Sequence, residues 1–250
     1  MQFVSFPLSS QLWEGTQAIS SVTNVLEYLS LSKVARLIAP SFYNVIAFFA
    51  CLSWITLVLG IAIWCGYSFS RNSFTYLWPL RVLRVTAKLT TTALFIPLSG
   101  ILLSIFACPP GERWGATDLN CFEGTHLAWL LIVLVLLPSF AAFSLMVTSV
   151  FFERDWRSKS VVSKSHGRSD VIILFTQLMT VVFFVLQHSL SLWVLRIVVL
   201  LAGICVLAAV LHTLPFHKPA MNAYRAATAA IFLWASVAAN IKAVMVQPEA

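Results

Sequence analysis

Six long apolar runs constrain the fold of this chain more than any other feature. About 20 apolar residues in a helix cross a bilayer core of about 30 Å, and each run is close to this length or longer. The runs cover roughly residues 42–67, 90–107, 126–152, 171–187, 190–211 and 226–246, and the second has a basic lead-in from Arg81. Backbone polar groups have no water partners in hydrocarbon, so we expect each run to be helical. The sequence predicts an all-α, polytopic integral membrane bundle of about six transmembrane helices.

The composition supports this class and excludes others. Of the 250 residues, 60% are apolar and 10% are charged, whereas about 25% of the residues in a soluble domain are charged. So few charges cannot cover a soluble globular surface, which argues against a soluble enzyme. The net charge of +7 lies mostly between the apolar runs, where membrane topology explains it better than a nucleic-acid partner.

The positions of the basic residues predict an orientation. Three connections carry eleven cations: Arg71, Arg81, Arg84, Lys88, Arg154, Arg157, Lys159, Lys164, Arg168, Lys218 and Arg225. The opposite side carries four: Lys33, Arg36, Arg113 and Lys242. The positive-inside rule puts the three basic connections in the cytosol and both termini outside. If the first run is not a full crossing, the two termini separate, so the side of the N-terminus stays open.

The first 40 residues form an N-terminal segment before a transmembrane domain at 41–250. Residues 12–37 carry apolar side chains at helical spacing, with polar residues between them, which predicts an amphipathic helix. Pro40 marks a break before the first run. The helix is expected either in the membrane interface or docked against the bundle or a neighbouring subunit. The first residues lack the features of a signal peptide.

Cys108 and Cys121 flank a short loop between the second and third runs. A disulfide between them closes a loop of about 14 residues, worth roughly 3 kcal/mol in the chain-entropy model, and it requires an oxidising compartment. The alternative is a pair of free loop thiols. We expect the disulfide, because both cysteines sit at the mouths of adjacent spans.

Arg196 is the ionisable residue placed well inside a predicted span. A charge at such a depth costs about 2.5–3.5 kcal/mol on insertion scales, so it needs a partner, a cavity or a nearby interface. Gln187 and His188 precede it and are candidates either to hydrogen-bond it or to cap the short hairpin at 189–191. A functional interpretation is a pathway or an anionic ligand, and a structural one is a side chain that snorkels to the interface.

The connection between the third and fourth runs is rich in basic residues and serine. Its cations are Arg154, Arg157, Lys159, Lys164 and Arg168. Each basic group near anionic headgroups contributes about 1 kcal/mol, so we interpret this loop as a lipid contact and topology signal. A phosphorylation-sensitive docking loop is the alternative.

Two further features concern helix shape and packing. Pro97 and Pro138 fall inside the second and third runs, where proline commonly kinks a helix. The sixth run is rich in alanine. Small residues allow helices to approach closely, which predicts an intimate helix–helix interface within the subunit or between subunits.

No catalytic constellation emerges from the sequence. Nucleotide-binding, metalloprotease and serine-hydrolase motifs are missing, the nine acidic residues fall in loops or terminal segments, and the five histidines are scattered. No cysteine and histidine spacing fits a metal site. We therefore expect no catalytic residues, no metal and no cofactor, and predict that the protein is not an enzyme.

Several short patterns together resemble a known family. They include Trp-Pro-Leu-Arg-Val-Leu-Arg-Val at 78–85, Leu-Phe-Ile-Pro-Leu at 94–98, the two cysteines with His126, Ser-Lys-Ser-His-Gly-Arg-Ser-Asp at 163–170 and Leu-Pro-Phe-His-Lys-Pro-Ala-Met-Asn at 214–222. Over about residues 70–240 the chain resembles the membrane domain of the tiny macrocysts protein B family. Members of that family are large proteins of single-celled eukaryotes, in which the membrane part is commonly joined to PAS-type sensor modules. The resemblance implies a signalling or sensory role at a plasma or ciliary membrane, and it supplies no catalytic residues.

The leading functional expectation is a non-enzymatic membrane subunit that scaffolds or regulates a larger complex. Its expected partners are membrane lipids and other membrane subunits, in a homo- or hetero-oligomer. The alternative is a channel or transporter subunit with a pathway near Arg196. The chain ends shortly after the sixth run without a PAS module, so we expect either a short relative or the membrane part of something larger.

Overall fold

The computed structural model describes residues 43–71, 78–108, 120–150, 163–165, 167–186 and 191–246. The predicted N-terminal amphipathic helix lies outside these residues. Within them the chain forms seven α-helices and one π-helical turn. They are α1 (Tyr43–Ser70), α2 (Trp78–Leu89), the π turn (Thr90–Leu94), α3 (Phe95–Leu103), α4 (Gly124–Val150), α5 (Arg168–Val185), α6 (Leu192–Thr213) and α7 (Pro219–Val246).

Five helical segments in the described part are long and apolar enough to cross a membrane. They are Val45–Ser70, Trp78–Leu103, Gly124–Val150, Arg168–Val185 and Leu192–Thr213. This confirms the prediction of an all-helical, multi-pass membrane protein. The sixth predicted span, Ala226–Val246, is helical as part of α7 but is not among these five.

The second span differs from its prediction in where it begins. The apolar run predicts a start near Thr90, whereas the helix already begins at Trp78 and continues to Leu103. Between these points α2 carries three basic residues, which lower the apolar content without interrupting the helix. A π turn then precedes Pro97. Proline removes a helical hydrogen bond and crowds the carbonyl one turn before it. A π turn is one of the local changes in helix geometry that accommodate such a disruption.

The described helices divide into two compact units, and α1–α4 form the first. Phe95 of α3 stacks on Phe140 of α4, with ring centroids 5.5 Å apart. Phe48 of α1 packs edge-on against Trp129 of α4 at 5.9 Å. Aromatic pairs with such geometry contribute beyond their buried area. Helix α4 continues through Pro138 from Gly124 to Val150.

Helices α5–α7 form the second unit. Its core contains Val199 and Ala202 of α6 and Phe232 of α7, with Phe184 of α5 packed against them. At Gly203 of α6 an added Cβ would lie 3.1 Å from the Cα of Leu233 in α7. The backbones of α6 and α7 therefore approach closely, and the alanine-rich segment makes its predicted helix–helix contact within the chain.

Candidate functional site

Two connections of the second unit, the segment before α5 and the loop between α6 and α7, pair with each other at one end of its helices. The backbone N–H of Ser165 donates to the carbonyl of Pro215 at 2.8 Å, and that of His217 donates to the carbonyl of Ser163 at 3.3 Å. These bonds form an isolated antiparallel bridge between Lys164 and Phe216. The segment before α5 and the segment between α6 and α7 therefore lie on the same side of this unit, as the predicted topology requires.

Asn222 fixes the loop between α6 and α7. Its side-chain amide donates to the carbonyl of Phe216 at 2.9 Å, and its side-chain oxygen accepts from the N–H of Phe216 at 3.0 Å. Helix α7 begins at Pro219, a residue that suits the first helical position because it has no N–H to satisfy. The loop is thus attached to the first turn of α7 through the backbone N–H and the backbone carbonyl of Phe216.

Asp170 is the centre of a buried ionic group. It lies in the first turn of α5, where the helix dipole favours a carboxylate. One carboxylate oxygen accepts a bond from Lys164 Nζ, and the other accepts one from Arg225 of α7. The side chains of Asp170 and Lys164 are 14% and 10% exposed, and that of Arg225 is 31% exposed. Both carboxylate oxygens are therefore occupied by cations.

Phe216 completes this group from the loop. Lys164 Nζ lies 4.9 Å from the centroid of its ring, and the guanidinium carbon of Arg225 lies at the same distance. Cations over an aromatic ring gain about 0.5–2 kcal/mol, more when they are desolvated. We call Lys164, Asp170, Phe216 and Arg225 the Asp170 cluster.

The Asp170 cluster connects structural elements to one another. Its one carboxylate already holds two cations, so the arrangement links the start of α5, the loop after α6 and the second turn of α7. Removing one partner of a buried ion pair typically costs about 3–5 kcal/mol, because a buried charge is left uncompensated. The described part of the chain contains no group of three histidine, cysteine or acidic side chains that could hold a metal ion.

The predicted basic loop is only partly described. Arg154, Arg157 and Lys159 lie outside the described residues. Arg168 is exposed at the start of α5, as a lipid-contacting residue requires. Lys164 instead is buried and paired with Asp170. The structure therefore separates Lys164 from the exposed basic surface to which the sequence assigned it.

Arg196 lies near the start of α6, close to the end of its span. The helix begins at Leu192, and the Arg196 guanidinium lies 5.3 Å from the ring centroid of Trp193. Its Nε atom has no hydrogen-bond partner in the described part of the chain. Gln187 and His188, its predicted partners, lie outside the described residues. Trp and Arg together near a helix end are typical of the membrane interface.

The predicted disulfide between Cys108 and Cys121 is confirmed, with the two Cα atoms 5.7 Å apart. Next to it, the N–H of Phe122 donates to Nδ1 of His126 at 3.1 Å, and His126 is fully buried in the first turn of α4. This bond holds Phe122 at a positive φ of 64°. The histidine thus stabilises the turn that leads from the disulfide into α4.

Apolar periodicity does not predict that Asp170, Arg225, Phe216 and Asn222 form one group. Asp170 and Arg225 are 55 residues apart, so no local spacing connects them. A signal was nevertheless present in the resemblance, because the patterns at 163–170 and 214–222 are the two segments that the structure brings together.

Comparison with known proteins shows two relatives. Tiny macrocysts protein B and tiny macrocysts protein C of Dictyostelium discoideum are each 27% identical to the chain, over 199 and 198 residues respectively. The aligned region covers 75% of this chain but 14% of each relative, so the chain spans about one-seventh of the length of these proteins. No family model matches the chain, and no solved structure matches it. The chain is therefore related to these two proteins.

Proposed function

We propose that this chain is a non-enzymatic integral membrane subunit that scaffolds or regulates a larger membrane assembly. The observation that carries the proposal is the Asp170 cluster. Its carboxylate holds two cations, Lys164 and Arg225. This use of buried charge suits a protein that must keep three helix ends in a defined arrangement rather than perform a reaction.

The relation to the tiny macrocysts proteins supports the same proposal. The matched region is a small part of two much longer proteins, as expected of a membrane part that works with other modules. The resemblance adds PAS-type sensors as such modules, so we extend the proposal to sensory or signalling assemblies in a plasma or ciliary membrane. Its partners would be membrane lipids and other membrane subunits.

Purification in a mild detergent followed by native mass spectrometry tests the proposal. The expected result is a species heavier than one chain, either an oligomer or a complex with a second protein of defined stoichiometry. A second sample carries Asp170→Asn together with Lys164→Gln, which removes one charge of each sign from the cluster. We expect the added mass to fall while the variant stays in the membrane fraction. A stable, isolated monomer from the wild-type chain contradicts the proposal.

The alternative function, a channel or transporter subunit, depends on Arg196. The position of Arg196 beside Trp193, one turn into α6, supports an interfacial role more than a pathway. Flux through liposomes that contain wild-type protein, compared with Arg196→Ala, separates the two functions. Flux that is present in wild type and lost in the variant favours the channel, and absence of flux in both removes it.

A further inference from the structure

Helix α2 has three distinct faces. Its buried face carries Leu83, Ala87 and, in the adjoining π turn, Thr90. A second face is apolar and exposed, and it includes Trp78, Val82, Val85 and Leu89. The third face is basic and exposed, and it consists of Arg81, Arg84 and Lys88. At 3.6 residues per turn these three cations fall within an arc of about 60°. We call them the basic stripe.

Two contacts with α1 set the rotation of α2 about its axis. Near its start, the ring of Trp78 lies 6.5 Å from that of Trp64. Just beyond its end, the indole N–H of Trp54 donates to Thr90 Oγ1 at 3.0 Å. Since α1 holds the helix at both ends, the direction in which the basic stripe points is fixed by the fold.

The basic stripe has no carboxylate partner in the described part of the chain. The one acidic residue among the described residues of the first unit is Glu123. It follows Cys121, whose disulfide partner Cys108 comes just after α3. Glu123 is therefore at the far end of the span from the stripe. Three cations on one face are therefore without a carboxylate partner among the described residues.

The depth of the basic stripe matches the headgroup layer. The segment Trp78–Leu103 has 26 residues and is about 39 Å long at 1.5 Å per residue, whereas the hydrocarbon core is about 30 Å thick. With Leu103 at one boundary, the other boundary falls near Arg84 and leaves the first turns of α2 among the headgroups. Lys88 lies about 6 Å deeper, which is within the reach of a snorkelling lysine.

We propose that the basic stripe binds the headgroups of anionic phospholipids in the leaflet that faces the basic loops. The deeper residues of the exposed apolar face, Val85 and Leu89, would lie against the acyl chains of the same lipids. A lipid surface satisfies both faces at once, whereas a free anion satisfies only the cations. By the predicted topology this is the cytosolic leaflet, where anionic lipids are concentrated.

Native mass spectrometry of the purified chain, titrated with phosphatidylserine or with phosphatidylcholine of the same acyl chains, tests this proposal. We expect preferential binding of phosphatidylserine. Each basic group near the headgroups contributes roughly a fivefold factor, so Arg81→Gln/Arg84→Gln/Lys88→Gln should weaken that binding on the order of one hundredfold. Binding of phosphatidylcholine should be unchanged.

A charge-matched control removes Arg36, Arg113 and Lys242 instead, which the positive-inside rule places on the opposite side of the membrane, and should keep the preference. The variant Arg81→Lys/Arg84→Lys keeps both charges and should keep the preference for phosphatidylserine. If the triple variant does not fold, Lys88→Gln alone should lower phosphatidylserine binding about fivefold. Equal binding of both lipids by wild type, or an equal loss in the control, overturns the proposal. So does displacement of the lipid by glycerophosphoserine, which has the headgroup without the acyl chains.

Discussion

Asn222 and Phe216 are joined by two hydrogen bonds, one to the backbone N–H and one to the backbone carbonyl of Phe216. The pair closes the loop between α6 and α7 on itself. It also holds the Phe216 ring under Lys164 and Arg225. The position of the ring therefore depends on an amide side chain from the next helix.

Replacement of Asn222 by alanine should destabilise the protein by about 1–3 kcal/mol, because a half-buried N–H loses its acceptor. Thermal unfolding in detergent, followed by circular dichroism, measures the change. Asn240→Ala is the matched control in the same helix, since Asn240 makes a single bond to the carbonyl of Ser236. An effect of Asn222→Ala no larger than that of the control contradicts this role.

Replacement of Asp170 by asparagine should cost about 3–5 kcal/mol, because it leaves two cations near a weakly solvated site. The double variant Asp170→Asn/Lys164→Gln should be less destabilised than the sum of the two single variants, as expected for residues in contact. Unfolding midpoints of all four proteins give the coupling. Additive effects argue against the ion pair, and Glu123→Gln provides an exposed acid-to-amide control.

Replacement of Gly203 by alanine should destabilise the second unit, because the new Cβ would lie 3.1 Å from the backbone of Leu233. Overpacking of this kind typically costs about 1–3 kcal/mol. Gly66→Ala in α1 is the control, since nothing lies within 4 Å of its added Cβ. Melting temperatures that fall for Gly203→Ala and hold for Gly66→Ala support the close approach, whereas equal melting temperatures exclude it.

Loss of the Cys108–Cys121 disulfide should cost roughly 3 kcal/mol in the chain-entropy model. Cys108→Ser/Cys121→Ser is compared with wild type by thermal unfolding with and without a reductant. The reductant should lower the melting temperature of wild type and leave that of the double variant unchanged. Cys205→Ala, at an exposed free cysteine, should behave like wild type. Peptide mapping that finds two free thiols in unreduced wild-type protein contradicts the disulfide.

The sequence is sufficient to predict the helices because each apolar run has one stable solution in hydrocarbon. It is less informative at their ends. The apolar run begins near Thr90, because Arg81, Arg84 and Lys88 lower the apolar content before it, although the helix begins at Trp78. A helix can continue with polar residues once its end leaves the hydrocarbon.

The site was harder to predict than the fold. The disulfide follows from two cysteines at adjacent span ends, and it is confirmed. The Asp170 cluster depends instead on how α5 and α7 are placed, which apolar periodicity does not specify. The sequence pattern therefore groups Lys164 with its basic neighbours in the chain, whereas the structure pairs it with the carboxylate of Asp170.

The π turn at Thr90–Leu94 acts as a rotary offset between the two halves of one span. A π turn holds about one residue more than the α-helical turn it replaces. Compared with an uninterrupted α-helix of the same sequence, α2 is therefore rotated by about 100° relative to α3. Deleting one residue there would leave the two flanking helices in register, whereas making the turn α-helical with all five residues kept would swing Arg81 and Arg84 around the axis by about 100°. The direction in which the charged side of α2 points thus depends on the π hydrogen bonding of the turn that precedes Pro97.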